Sequence, residues 1–480
     1  MVRLKQSYLG SSPQQTLYIV PRPPRPPPPS GECYIFSLPD ELLAQILDHL
    51  APPTPFHHQS KYENCLGIPT VCERWRRLYE PILYRSIDLG YSGWQKPRRT
   101  ARLVKNFEER PGMTGHVRDL DVQIYKPSDA TCRLVASVVL CCRSIRKLSL
   151  HTFMSPTIWP MIHASSKLPC LERLGLTGCE DGPALQMILA HFGTHPLTEL
   201  KLNRYGLSVD DGPTAPWRSG SQSTYPDLEN TFFNYFYNGA VTTLVLSDPS
   251  APPYITKRFL QWPAHLTRLS LTFLIHSIYA TQYSLGAMQE LLDTQCESLQ
   301  HVTIGIIPCT LNGIPNFSHF LRLQTLQLNR VNLFSEKPRV AAAKLSAPLL
   351  RHLGVSFCTE DQHHVNIDTF ATEQVRWLEE LVSYVGVKST ASSKLDTVFV
   401  EFTPETPHCT AAELEHMTWP WEPLEQAVEA LSRYGVTMTY STPECPKEDW
   451  SKVLARIRTE HAALSDPESE RSGYLIYSRE

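Results

Sequence analysis

A six-residue pattern, L-x-x-L-x-L with Val or Ile allowed at the apolar positions, recurs along this chain of 480 residues. Copies begin at Val117, Ile145, Leu171, Leu197, Val241, Leu266, Leu299, Leu323, Leu350 and Leu395. Successive starts lie 28, 26, 26, 44, 25, 33, 24, 27 and 45 residues apart. Apolar residues at alternate positions predict a short strand with one buried face. Between the hexamers, "TCRLVASVVLCC", "GPALQMILAHF", "LGAMQELLDTQC" and "TFATEQVRWLEELVSYV" carry helical periodicity. The repeating unit is therefore strand, loop, helix, and the fold class is α/β. One such unit cannot bury its own apolar edge, whereas stacked copies bury it between neighbours.

The amino-terminal part has a different pattern. In "SLPDELLAQILDHL" (37–50), Leu38, Leu42, Leu43, Ile46, Leu47 and Leu50 fall on one side of a helix. Ser37 and Asp40 have the spacing of a capping box, Pro39 suits the first turn, and Pro52 and Pro53 end the helix. Twenty residues on, "VCERWRRLYEPILYRSIDL" (71–89) repeats Val71, Trp75 and Leu78 at helical spacing, with Arg74, Arg76 and Arg77 mostly on the other face. Pro81 is expected to limit that helix, and "ILYRSIDL" to pass from a helical turn into a strand. Six large apolar side chains are many for a fourteen-residue helix in a module of about 50 residues, which has little interior.

The long steps locate insertions at 206–235 and 402–418. After them, "WEPLEQAVEALSRYGVTMTYS" predicts a helix and a strand. "KEDWSKVLARIRTEHAAL" predicts a last helix able to cover the open end of a stack, followed by a polar tail. Upstream, "PRPPRPPPPS" (21–30) has the composition of polyproline II, and residues 1–33 are expected to be a disordered leader. The stretch "QKPRRTAR" (95–102) is expected to be a solvated loop between the two modules.

Composition narrows the chemistry. A net charge of −3 argues against a general nucleic-acid binder, and the longest obvious apolar run, "LVASVVLCC", is far too short to span a membrane. No nucleic acid and no membrane is therefore expected as a partner, and an intracellular setting, cytoplasm or nucleus, is. The 13 cysteines form no C-x-x-C. No phosphate loop, dinucleotide turn, zinc helix or nucleophile elbow occurs, and the His pairs at 57–58 and 363–364 lack partners at metal spacing. No cofactor, no metal site and no catalytic residue is expected.

The segments at 37–50 and 71–89 together resemble the F-box, a helical module with an L-P-x-E-L-L-x-x-I-L-x-x-L half and a V-C-x-x-W-R-x-L half. The residues that carry the likeness are Leu38, Pro39, Glu41, Leu42, Leu43, Ile46, Leu47 and Leu50, then Val71, Cys72, Trp75, Arg76 and Leu78. The connection from Leu50 to Val71 is longer than usual, and Pro69 is expected to shorten the second helix. The hexamers resemble irregular leucine-rich repeats of the kind that follow an F-box in fungal-type proteins. Cys179 and Cys358 occupy the Asn/Cys position of that repeat, and most other copies lack it. The resemblance implies an F-box at 34–90, a connector at 91–116 and a solenoid at 117–440, with strands on the concave face and helices on the convex face. A C-terminal helix and tail at 441–480 completes it.

The resemblance further implies a non-catalytic substrate receptor of an SCF-type (Skp–cullin–F-box) ubiquitin ligase. A Skp-type adaptor, and through it a cullin–RING ligase, would dock on Leu38, Pro39, Leu42, Leu43, Ile46, Leu47, Val71 and Trp75. An unknown protein target would bind the concave face, whose outward residues include Lys147, Arg173, Lys201, Arg268, His301, Gln327 and His352. A repeat scaffold with no ubiquitin role, and an enzyme with a dispersed site, are the other readings the residues allow.

Overall fold

A computed structural model describes residues 34–50, 68–91, 96–124, 128–152, 159–179, 185–205, 235–248, 251–273, 283–305, 313–357, 370, 372–388, 395–402, 419–443 and 446–464. The leader, most of both insertions, both His pairs, Cys358 and the last sixteen residues lie outside these.

The ten hexamers each form a strand, and each strand starts at the third residue of its hexamer. They are β2 (Asp119–Ile124), β3 (Lys147–Thr152), β4 (Arg173–Cys179), β5 (Glu199–Tyr205), β6 (Thr243–Ser247), β7 (Arg268–Thr272), β8 (His301–Ile304), β9 (Thr325–Asn329), β10 (His352–Phe357) and β11 (Thr397–Phe402). Two more strands flank them, β1 (Ser86–Tyr91) and β12 (Thr437–Tyr440). All twelve form one sheet in sequence order, and every pairing is parallel. The topology is that of an α/β, solenoid-like stack.

The register explains the hexamer. Its first, fourth and sixth residues are 5 % exposed or less in all ten copies, so the apolar positions line one continuous core. Burying one such Leu, Ile or Val contributes about 1.5–3 kcal/mol. The second residue has a backbone role. Its carbonyl accepts both N–H groups at the second and third positions of the next copy. Arg118 O accepts from Arg146 N and Lys147 N at 2.7 and 3.0 Å, and Gln324 O accepts from Arg351 N and His352 N at 3.0 Å each. This fixes neighbouring units in step, whatever the loop between them contains.

Helices return the chain between strands. They are α3 (Lys96–Glu109), the short α4 (Pro111–Thr114), α5 (Asp129–Cys141), α6 (Trp159–Ser165), α7 (Leu185–Phe192), α8 (Pro253–Leu260), α9 (Leu285–Asp293), α10 (Arg330–Phe334), α11 (Pro338–Lys344), α12 (Thr372–Lys388) and α13 (Glu422–Ser432). Neighbours stack: α3 on α5, α5 on α6, α8 on α9, α11 on α12 and α12 on α13. Ser128 and Ser284 cap α5 and α9 through the N–H of Thr131 and Ala287. Buried polar side chains join the units. Gln295 donates to Leu260 O and Pro263 O and accepts from Leu266 N and Ser298 Oγ. Trp262 Nε1 donates to Gly193 O at 3.0 Å. Tyr283 donates to Ala251 O, and its hydroxyl is raised well above the ordinary tyrosine range by burial.

The sheet begins earlier than the hexamers do. Strand β1 pairs with β2 along its whole length, and Tyr84, Ile87, Leu89, Leu103, Val104 and Phe107 pack into the main core. The unit Ser86–Glu109 is thus the first layer of the stack, which corrects the expected boundary at 90 and the expected connector at 91–116. The stretch 95–102 is likewise no loop from Lys96 onward, since it opens α3. At the far end the last helix packs on the stack. In the last helix, α14 (Trp450–Leu464), Trp450 lies 5.7 Å from Trp419 and 6.2 Å from Trp421, ring centre to ring centre. Among the described residues no helix is long and apolar enough to cross a membrane.

Candidate protein-interaction site

Ahead of the sheet stand two helices, α1 (Asp40–Leu50) and α2 (Glu73–Leu83). Their local chemistry differs from the expectation in several places. Ser37 Oγ donates to Tyr34 O at 2.7 Å, closing a 3-10 turn over Tyr34–Ser37, and so does not cap α1. The cap of α2 is Cys72, whose sulfur accepts from Trp75 N at 3.5 Å; Val71 precedes that cap and does not share the helical stripe. Pro69 lies in a separate 3-10 turn, Ile68–Thr70. Pro81 sits inside α2 and does not end it. It removes one bond of the final turn, and Tyr84 N still closes on Glu80 O at 3.0 Å.

Asp40 clamps the pair. Its Oδ1 accepts from Arg74 Nε and its Oδ2 from Arg77 Nη2, both at 2.7 Å, and Arg74 also donates to Leu38 O. The hydrogen bond from Arg74 is the main reason that the carboxyl of Asp40 stays below the usual carboxylate range. Asp48 holds Arg85 at 3.0 Å, which ties α1 to the residue just before β1. Arg74 and Arg77 were expected only as part of a polar face.

Six apolar side chains of α1 were expected on one side, and the structure divides them. Leu43 and Leu47 are 0 % exposed and, with Tyr79, form a small core distinct from that of the sheet. Ile35, Ile68, Trp75, Leu78, Ile82 and Leu83 pack around it. Leu42, Ile46 and Leu50 stay 48 %, 38 % and 53 % exposed, one helical turn apart, and Val71 is 52 % exposed. Pro39 is exposed and Leu38 half-buried. This corrects the candidate set. Leu43 and Leu47 cannot face a partner because the module's own interior covers them, and Trp75 supports from within. Leu42, Ile46 and Leu50 on α1, together with Val71 and Pro39, are the exposed apolar residues of the module's candidate set. Leu50 was read as part of the stripe but not as a site residue; its spacing from Leu42 and Ile46 was the available signal.

The second candidate surface is the sheet face opposite the helices. Lys147, Arg173, Arg268, His301 and His352 share one row of that face, with Glu199, Thr243 and Thr325 between them. Lys201 and Gln327 lie in the next row. All seven predicted residues are thus on the open face. Some are committed to partners: Lys201 pairs with Glu199 at 2.9 Å, Gln327 Nε2 donates to Glu401 at 3.0 Å, and His352 bonds Thr397 at 2.6 Å. Burial, then the neighbouring Arg268 and His352, lower the His301 pKa.

Sequence reasoning missed the edge of this face. Asp88 and Asp121 lie directly opposite each other in β1 and β2, and His151 Nε2 of β3 is 3.6 Å from Asp121 Oδ1. Burial, then the neighbouring Asp88 carboxylate, pushes the Asp121 carboxyl up to about 6 against the pull of Lys147. Burial likewise lowers the His151 pKa.

Among the described residues no group of three or more His, Cys, Asp and Glu side chains could hold a metal. A cavity of about 340 Å³ lies between α11, α12 and the residues before β10 and β11. Its walls are Ala342, Leu345, Leu350, Leu381, Val385 and similar residues, with Arg339 and Tyr384 as its titratable groups. No family model matches the chain, and no curated protein matches it.

Proposed function

We propose that the chain is the substrate-recognition subunit of an SCF-type ubiquitin ligase, with an F-box at 34–85 and irregular leucine-rich repeats from Ser86 onward. The observation that carries this reading is the division of α1. A helix whose Leu43 and Leu47 are sealed inside while Leu42 and Ile46 stay exposed, with Leu50 a turn further on, presents an apolar ridge, and Val71 and Pro39 are exposed as well. Contiguous exposed apolar surface marks an interaction site. The adaptor's chemistry is therefore an apolar groove that accepts a helix ridge. The sheet face then holds the target, and only Tyr84 and Arg85 separate α2 from β1, so the link between the two surfaces is short.

The mechanism is positional. Holding the target and the adaptor-bound ligase on one frame raises the effective concentration of a target lysine near the charged ubiquitin carrier. The chain's residues position, and none forms or breaks a covalent bond. Co-purification of the full chain with a Skp-type adaptor tests this. Wild type is expected to retain the adaptor, and Leu42→Asp combined with Ile46→Asp to lose it while unfolding like wild type. A wild-type chain that retains no adaptor refutes the reading and leaves a repeat scaffold without a ubiquitin role.

A further inference from the structure

The open sheet face twice sets like charges directly across from each other. Asp88 faces Asp121 between β1 and β2, and Lys147 faces Arg173 between β3 and β4. Such cross-strand pairs destabilise a sheet. The two pairs are also segregated along the strand order. Strands β1 and β2 place three carboxylates on the face: Asp88, Asp119 and Asp121. Strands β3 to β7 place the cations Lys147, Arg173, Lys201 and Arg268 there, and their one carboxylate is Glu199. Glu199 serves both Arg173, at 3.8 Å, and Lys201, at 2.9 Å. Lys147 and Arg268 make no ion pair among the described residues. Between the cations the floor is Ser149 and Gly175, whose small size lets a backbone approach the sheet.

We propose that this face binds an acidic peptide segment of the target, laid across β3 to β7, with a basic residue of the same segment on the β1–β2 carboxylates. Neighbouring strands lie about 4.8 Å apart, so four steps from β3 to β7 span roughly 19 Å, the length of about six extended residues. The partner's carboxylates neutralise Lys147 and Arg268, and its cation relieves the crowding of Asp88 and Asp121. Charge segregation sets the direction in which the segment lies, since the reversed orientation brings like charges together. The inference rests on the reading of the chain as a substrate receptor, and names the class of segment that receptor takes.

Fluorescence anisotropy on the full chain tests it with three labelled peptides. One carries two arginines, a glycine and then six Asp and Glu residues. The second has the same composition with the charges interleaved. The third replaces every acid by its amide. The segregated peptide is expected to bind at least tenfold more tightly than either of the others. Lys147→Glu combined with Arg268→Glu is expected to weaken it at least tenfold, and to bind a peptide with lysines in place of the acids better than wild type does. Equal binding of the three peptides, an unaffected double variant, or tighter binding of a single-stranded oligonucleotide than of the acidic peptide overturns the proposal. Adaptor retention, measured on the same preparations, separates the two readings. A chain that keeps the adaptor but ignores peptide charge sinks this inference alone, and one that selects the peptide but holds no adaptor sinks only the ligase reading.

Discussion

Leu42 and Leu43 are adjacent in sequence and opposite in role, because successive helix positions point about 100° apart. The stripe as a set was legible in the spacing, but its division was not. Which leucines turn inward depends on where α2 lies, and α2 is joined to α1 by the packing of Tyr79, Trp75, Leu78 and Ile82 around Leu43 and Leu47 and by Asp40 holding Arg74 and Arg77. The division makes a residue-scale prediction. Leu43→Ala or Leu47→Ala is expected to cost about 2–5 kcal/mol of the module's stability by chemical denaturation. Leu42→Ala or Ile46→Ala is expected to cost under about 1 kcal/mol, with adaptor retention reduced. Asp121 gives a second. Its folded pKa lies above the usual carboxylate value, so the folded state binds the proton more tightly than the unfolded state. The contribution of Asp121 to stability is then fully present below about pH 4 and is lost as pH rises through about 6. Asp121→Asn is expected to be more stable than wild type at pH 8, by about 1–3 kcal/mol, with the gap closing toward pH 4 in urea melts. A gap that does not vary with pH contradicts the assignment to Asp88 crowding and burial.

At the scale of elements, the ten hexamers were enough to place ten strands, their register and the buried row. The reason is physical: three apolar positions and one shared carbonyl repeat in every copy, and neither depends on the loops. Strand β1 was read as a strand but not as a repeat, since Tyr84 stands where the hexamer has leucine. Strand β12 was likewise read as a strand but not as a hexamer copy, because its first hexamer position is Gly435, at φ 73°. Helices α5, α7, α9, α12 and α13 were legible by periodicity, whereas α6, α8, α10 and α11 were not read and the start of α3 was read as a loop. The polar stitches were not legible either, because Gln295 and Trp262 reach residues of other units. Gln295→Ala strips partners from Leu260 O, Pro263 O and Leu266 N together. It is expected to destabilise by about 2–4 kcal/mol in thermal unfolding, given roughly 1–3 kcal/mol for a buried group left unpaired. A loss below 1 kcal/mol would mean that the units are joined by leucine packing alone.

The whole molecule is a stack in which each layer touches its neighbours, so its ends are its weak points. The carboxy end is covered by Trp450 and Leu454 of α14, which pack on the core beside Trp419 and Trp421. Removing residues 446–480 is expected to lower the midpoint of thermal unfolding and to expose surface that binds an apolar dye; an unchanged midpoint refutes a covering role. The amino end is different, because its layer carries the two-helix module, on which Leu42, Ile46 and Val71 are exposed. That asymmetry between a sealed end and an open one is what the functional reading rests on. Hydrogen–deuterium exchange of the full chain, with and without a Skp-type adaptor, tests it most directly. The account predicts slowed exchange confined to residues 37–50 and 68–80, with the sheet unchanged. Exchange that is the same in both samples, or protection that appears on the sheet instead, contradicts it.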